Sequence, residues 1–137
     1  MLNEVILIDD DEVDNETHAR VLKKSGVVKN VRVFQYAEQA LEYLRENDDA
    51  KADLILLDIN MPRMNGFEFL TAYASLGAMK SDRPVVIMLT TSSHPGDRAL
   101  AENTPGLTDF LQKPLTPPVF ASIVTENFGL KGKAPAA

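Results

Sequence analysis

The 137-residue chain has no cysteine. Disulfides are therefore excluded, and so are the thiolate ligands of structural zinc and iron–sulfur sites. Histidine is scarce. His18 and His94 are the only two; they are far apart, belong to no metal-binding spacing, and are expected to be surface residues. Long apolar runs are missing as well. The longest cover four or five residues, as in Val85-Val86-Ile87-Met88-Leu89, whereas a membrane-spanning helix needs about 20. Positive charge is in the minority: 14 Lys and Arg stand against 20 Asp and Glu, giving a net charge of −6. An acidic chain of this kind argues against general nucleic-acid binding, which needs a basic surface. A strand-like run begins almost at the first residue and leaves no room for a signal peptide. With the absence of cysteine, this leads to the expectation of a cytoplasmic protein without membrane insertion.

What the chain does have is enough apolar material for one core: 45% of its residues are hydrophobic, and its length fits one domain. Two hydrophobic periods alternate along it. Solid apolar runs at residues 5–8, 54–57 and 85–89 suit strands buried on both faces, and residues 31–34 and 110–111 are weaker strand candidates. Between them lie helical stripes. Residues 13–24 read as a helix ending near Gly26, and 67–76 as one ending near Gly77. Ala37, Ala40, Leu41 and Leu44 keep i, i+3, i+4, i+7 spacing, and Phe120, Ile123, Val124 and Phe128 form a similar stripe. Thr116 suits the cap of that last helix, with Pro117 at its first position and Gly129 past its end. Residues 96–102 form a short, poor helix candidate. Five strands alternating with five helices imply a parallel sheet covered on both faces. Residues 1–130 are expected to form this single domain, and 131–137, small and polar, a frayed tail.

Charged residues sit where the strands run out. Asp9, Asp10 and Asp11 follow the first apolar run, Asp58 follows Leu54-Ile55-Leu56-Leu57, and Lys113 follows Phe110-Leu111-Gln112. In an open parallel sheet such ends share one edge, and ligands bind there. Carboxylates a few ångströms apart repel by about 4 kcal/mol at an effective dielectric of 20. Such a cluster persists by binding a cation, taking up protons or staying solvated. Oxygen-only ligands favour a hard ion such as Mg²⁺, which uses one or two carboxylates, waters and a phosphate oxygen. Simpler roles exist for single members: Asp11 suits a helix cap, Lys113 alone would be a surface lysine, and Phe110 would serve as ordinary core. Asp48, Asp49 and the Glu42 to Glu46 region read as solvated, and Met61 and Met64 as loop packing.

Four motifs in order carry a family resemblance. They are Ile6-Leu7-Ile8-Asp9-Asp10-Asp11; Leu56-Leu57-Asp58-Ile59-Asn60-Met61-Pro62 with Asn65-Gly66; Leu89-Thr90-Thr91-Ser92; and Phe110-Leu111-Gln112-Lys113-Pro114. The chain resembles the receiver domain of two-component response regulators, the CheY-like family, from about residue 2 to residue 129. The resemblance implies a flavodoxin-like (βα)5 three-layer sandwich with strand order 2-1-3-4-5. It implies Asp58 as phosphoacceptor, and Asp9, Asp10, Asp58 and the backbone carbonyl of Asn60 as ligands of Mg²⁺, for which Mn²⁺ could substitute. It further implies Thr90 as switch hydroxyl, Lys113 as phosphoryl contact, Phe110 as switch aromatic and a cis Lys113–Pro114 bond. The position after the switch hydroxyl is often small in this family; Thr91 here would restrict access to the phosphoryl group.

The resemblance implies a sensor histidine kinase or hybrid kinase as donor, a downstream protein as target, and a monomer or weak dimer. With no output domain after Gly129, output is expected through protein contact or onward phosphotransfer. Two other classes compete. A degenerate receiver would act as a binding module without phosphorylation, against the intact Asp9, Asp10, Asp58, Thr90 and Lys113. A haloacid-dehalogenase-like hydrolase would need a second aspartate two residues past the nucleophile, where this chain has Asn60, and a substrate cap for which the chain is short.

Overall fold

A computed structural model describes residues 1–46, 52–76, 84–91 and 95–129. Asp48, Asp49, Gly77, Ser92, His94 and the 131–137 tail lie outside these residues. The elements run β1 (Leu2–Ile8), α1 (Glu12–Lys24), β2 (Val28–Phe34), α2 (Ala37–Glu46), β3 (Ala52–Leu57), α3 (Gly66–Ser75), β4 (Val85–Thr90), α4 (Pro95–Glu102), β5 (Asp109–Gln112) and α5 (Pro117–Phe128). All strand pairs are parallel, and the sheet order is β2-β1-β3-β4-β5. This is the expected flavodoxin-like arrangement.

The solid apolar runs divide between two cores, because successive strand side chains point to opposite faces. Ile6, Ile8, Ile55, Leu57, Val86 and Met88 pack with α2 and α3 residues such as Leu44 and Phe69. Val5, Leu7, Leu54, Leu56, Ile87 and Leu89 pack on the other side with Leu22 of α1 and Phe120 of α5. Each fully buried large apolar side chain contributes about 1.5–3 kcal/mol relative to exposure, so β1, β3 and β4 gain on both faces.

Several strand limits differ from the sequence expectation. β1 begins at Leu2, three residues before the apolar run. It includes a buried carboxylate, Glu4, matched by Arg32 Nε at 2.7 Å and by the Tyr43 hydroxyl at 3.0 Å. β2 begins at Val28 rather than Val31. As an edge strand it buries only one residue in three even partly, with the pattern half-buried, exposed, exposed. That leaves no solid run to read.

Helix ends follow local chemistry. The Asp11 carboxylate accepts from the N–H groups of Val13 and Asp14 at 2.8 and 3.2 Å, so it caps α1. Thr116 caps α5 with Pro117 at its first position, and Gly129 closes it at φ 65°, where a residue without Cβ fits. Asn65 and Glu68 form a reciprocal capping box at the start of α3, at 2.8 and 3.0 Å.

Candidate functional site

The site lies where β1, β3, β4 and β5 end. The sheet ladder runs just past the strands and pins their exits. Asp9 N–H donates to the Phe34 carbonyl at 3.1 Å, Asp58 N–H to the Ile8 carbonyl at 2.9 Å, and Lys113 N–H to the Thr90 carbonyl at 2.8 Å. Residues 104 positions apart in sequence thereby meet. The Lys113–Pro114 bond is cis, as expected.

Asp9, Asp10 and Asp58 each present a carboxylate oxygen, and these atoms all lie within 4.8 Å of one another. Asp9 and Asp58 are buried, while Asp10 is exposed. Lys113 Nζ sits 2.6 Å from Asp9 Oδ2, 2.8 Å from Asp14 Oδ2 and 3.4 Å from Asp58 Oδ1. The first two are short, charge-assisted hydrogen bonds; the third exceeds the usual 2.7–3.2 Å range. Asp58 is thus the least compensated carboxylate of the buried pair. Burial, reinforced by the Asp9 charge, pushes its pKa up to about 6 against Lys113 and the Ile59 N–H, which act the other way. Burial also works against the Lys113 ammonium. Its hydrogen bonds to Asp14 and Asp9, with the charges of Asp58 and Asp9, outweigh that and hold it above the usual lysine range.

The loop after Asp58 folds back on it. Ile59 and Met61 are buried, the Gly66 N–H donates to the Ile59 carbonyl at 2.9 Å, and Asn60 is exposed. Gly66 lies against the Asp58 backbone: a Cβ there would overlap the Asp58 carbonyl oxygen and come 3.2 Å from Ile59 Cα. The Asn65-Gly66 pair therefore combines a helix cap with a close approach. Arg63, at φ 69°, lays its guanidinium 4.4 Å from the Tyr36 ring centroid and 3.3 Å from Glu38, which ties this loop to the start of α2.

Thr90 is the last residue of β4 and is fully buried, rather than the first residue beyond the strand; Thr91, next to it, is exposed. Phe110 is half-buried. It lines a cleft of about 320 Å³ between α4 and β5 with Arg98, Ala101, Glu102 and Asp109, and the Arg98 guanidinium lies 5.8 Å from its ring centroid.

On α1 the sequence reading missed Asp14 and Asn15 and misplaced His18. Asp14 holds Lys113. Asn15 is buried and donates from Nδ2 to the Asp9 carbonyl at 2.7 Å, fixing the strand exit. His18 is buried, which corrects the surface expectation. It lines a small cavity of about 10 Å³ behind Asp9 and Asp58, together with Asn15 and Leu89. Burial lowers its pKa, with Lys113 adding to this and Asp14 and Asp9 opposing it. A signal was available: residues 15, 18 and 22 keep helical i, i+3, i+7 spacing, and Asp14 stands one turn after Asp10.

Among the described residues no helix is long and apolar enough to cross a membrane. A family model described as "Response regulator receiver domain" matches residues 5–125. The chain is 37% identical over 121 residues to the two-component response regulator ARR5 of Arabidopsis thaliana, covering 81% of this chain and 62% of that protein. It is 30% identical over 123 residues to hybrid signal transduction histidine kinase B of Dictyostelium discoideum, covering 83% of this chain and 6% of that protein. The chain thus spans less than two thirds of the length of these curated relatives. Among solved structures, a response regulator receiver protein from Dyadobacter fermentans matches with a TM-score of 0.80 and 33% identity, over 92% of this chain and 98% of the other. The strand order, the carboxylates and lysine at the strand ends, and these matches lead to one assignment: the chain belongs to the response regulator receiver domain family.

Proposed function

We propose that this receiver accepts a phosphoryl group on Asp58 from a sensor histidine kinase or hybrid kinase. It then signals by conformational change or passes the group on. One observation carries the reading: a buried, under-compensated carboxylate ends β3 beside two further carboxylates and an ammonium. Residues 1–130 make up the receiver unit in this reading, and a cytoplasmic, monomeric or weakly dimeric protein fits it.

The donor set fits Mg²⁺: all oxygen, partly exposed through Asp10, and carrying excess negative charge at Asp58. Asp9, Asp10, Asp58 and the Asn60 carbonyl would hold the ion, with Mn²⁺ as a substitute. Bound there, it would neutralise charge on Asp58 and on the incoming phosphoryl oxygens. The protein's own residues do the rest. An Asp58 carboxylate oxygen attacks phosphorus in line; the O–P bond forms as the bond from phosphorus to the donor's imidazole nitrogen breaks, and the nitrogen leaves with that electron pair. Lys113 supplies positive charge to the equatorial oxygens, and the Thr90 hydroxyl donates a further hydrogen bond. The product adds about 1.5–2 negative charges. Thr90 closes on them and Phe110 turns inward, which alters the surface of α4, β5 and α5.

Intact-mass spectrometry tests this reading. Acetyl phosphate with Mg²⁺ should add one phosphoryl group to the parent and none to Asp58→Asn. Equal uptake by both would sink the assignment. The pH dependence supplies a separate test. Cation binding requires ionised Asp58, so Mg²⁺ should raise the melting temperature at pH 7.5 and progressively less below about pH 6. Asp10→Ala should abolish the shift. Thermal scans that coincide with and without Mg²⁺ at pH 7.5 would rule out the cation site.

A further inference from the structure

Lys113 has a partner outside the four receiver motifs. Asp14, in the first turn of α1, contacts Nζ at 2.8 Å, well inside the 3.4 Å that separates Nζ from Asp58. We propose that Asp14 is a competing anchor for Lys113: it holds the ammonium back from Asp58 and thereby weakens capture of the phosphoryl group. The inference rests on the phosphoacceptor reading above and concerns a positioning residue, since Asp14 acts through Lys113.

The geometry sets up a competition. An ammonium has three N–H donors and no acceptor. Asp9 and Asp14 take two of them at 2.6 and 2.8 Å, and Asp58 is left with a long contact. Only 9% of the Lys113 side chain is exposed, so water cannot readily satisfy a donor that lets go of its partner. A phosphoryl group on Asp58 would add charged oxygens in front of Nζ; the third N–H can serve one of them, but drawing the ammonium toward Asp58 into close contact stretches one of the two short bonds. Asp9 is poorly placed to yield. Its side chain is 6% exposed, its Oδ1 accepts the Asp11 N–H at 3.0 Å, and its carbonyl is held by Asn15. Asp14 is 35% exposed, so water can take the place of the lysine there. Asp14 is therefore the partner Lys113 leaves.

Acidic residues in a first helical turn are favourable through the helix dipole. That accounts for an acid at position 14 but gives it no influence on the phosphoryl site. The two roles separate in a double-mutant cycle. Beryllofluoride, a phosphoryl mimic, is titrated by amide NMR at saturating Mg²⁺ into the parent, Asp14→Asn, Lys113→Met and the double variant. Release of a partly exposed ion pair predicts that Asp14→Asn binds about three- to fivefold more tightly than the parent. In the Lys113→Met background the same change should do nothing, and Asp14→Glu should return the affinity to within about twofold of the parent, because it keeps the charge. The half-life of phosphorylated Asp58, followed by intact mass in the same proteins, is a second readout. Asp14→Asn should alter it only where Lys113 is present.

Equal or weaker binding by Asp14→Asn overturns the proposal. So does equal tightening in both backgrounds, which would assign the effect to the field of Asp14 alone. A parent that binds no beryllofluoride overturns the phosphoacceptor reading together with this one.

Discussion

Without divalent cations, Asp58→Asn should raise the unfolding free energy by about 2–3 kcal/mol at pH 7.5 and leave it unchanged near pH 4. The folded-state pKa of Asp58 is raised from 3.8 to about 6. The folded protein therefore binds the proton more tightly than the unfolded chain does. Stability from this group is fully present below pH 3.8 and is lost as pH rises through about 6. At 1.36 kcal/mol per pH unit, the gap corresponds to about 3 kcal/mol. Asparagine mimics the protonated form and escapes the loss, while Lys113 keeps Asp9 and Asp14 as partners. Urea titrations of both proteins in EDTA at the two pH values measure the difference. Saturating Mg²⁺ should narrow or reverse the order, because it stabilises the parent by mass action. Equal midpoints in EDTA at pH 7.5 would show that Asp58 is not under electrostatic stress.

Gly66→Ala should be the most damaging one-carbon change in the site. The new Cβ would overlap the carbonyl oxygen of Asp58 and crowd the Ile59 backbone. Neither neighbour is a flexible side chain, so the β3 exit or the start of α3 must shift. We expect a loss of about 3 kcal/mol, at the upper end for overpacking. The displaced residue is Asp58, a member of the carboxylate cluster proposed to hold the cation, so Mg²⁺ affinity should fall along with stability. A control at the same helix end, Asn65→Ala, should cost about 1 kcal/mol through the lost cap and leave Mg²⁺ affinity nearly intact. Denaturant midpoints and Mg²⁺ titrations separate the two variants. A Gly66→Ala protein with parental values in both would show that the loop can give way.

The parts most legible in the sequence were those buried on both faces. β3 and β4 announce themselves as solid apolar runs because each residue faces one of two cores. Asp58 followed directly from the β3 run and Asp9 and Asp10 from the solid run of β1, whereas Lys113 ends the weaker run of β5 and was placed beside them by the order of the four motifs. β2 and the first residues of β1 were obscured for the opposite reason: an edge strand buries little, and the Glu4 carboxylate is kept inside by Arg32 and Tyr43 from other elements. Asp14 and Asn15 escaped notice, and His18 was expected on the surface, because a search for apolar stripes passes over polar residues. Their spacing on α1 was helical all along, but the groups that justify their burial come from β1 and from Lys113, 99 residues beyond Asp14.

The late position of Lys113 also bears on how the protein comes into being. The chain emerges from its N-terminus, so Asp9, Asp10 and Asp58 exist before the ammonium that compensates them. Until β5 docks beside β4, with Gln112 paired to Thr90, the carboxylates face one another without their built-in cation. The nascent site is thus acidic first and gains the Lys113 ammonium last. Under the proposed function, the lysine that would meet the phosphoryl group is the last of the site's charged groups to be made.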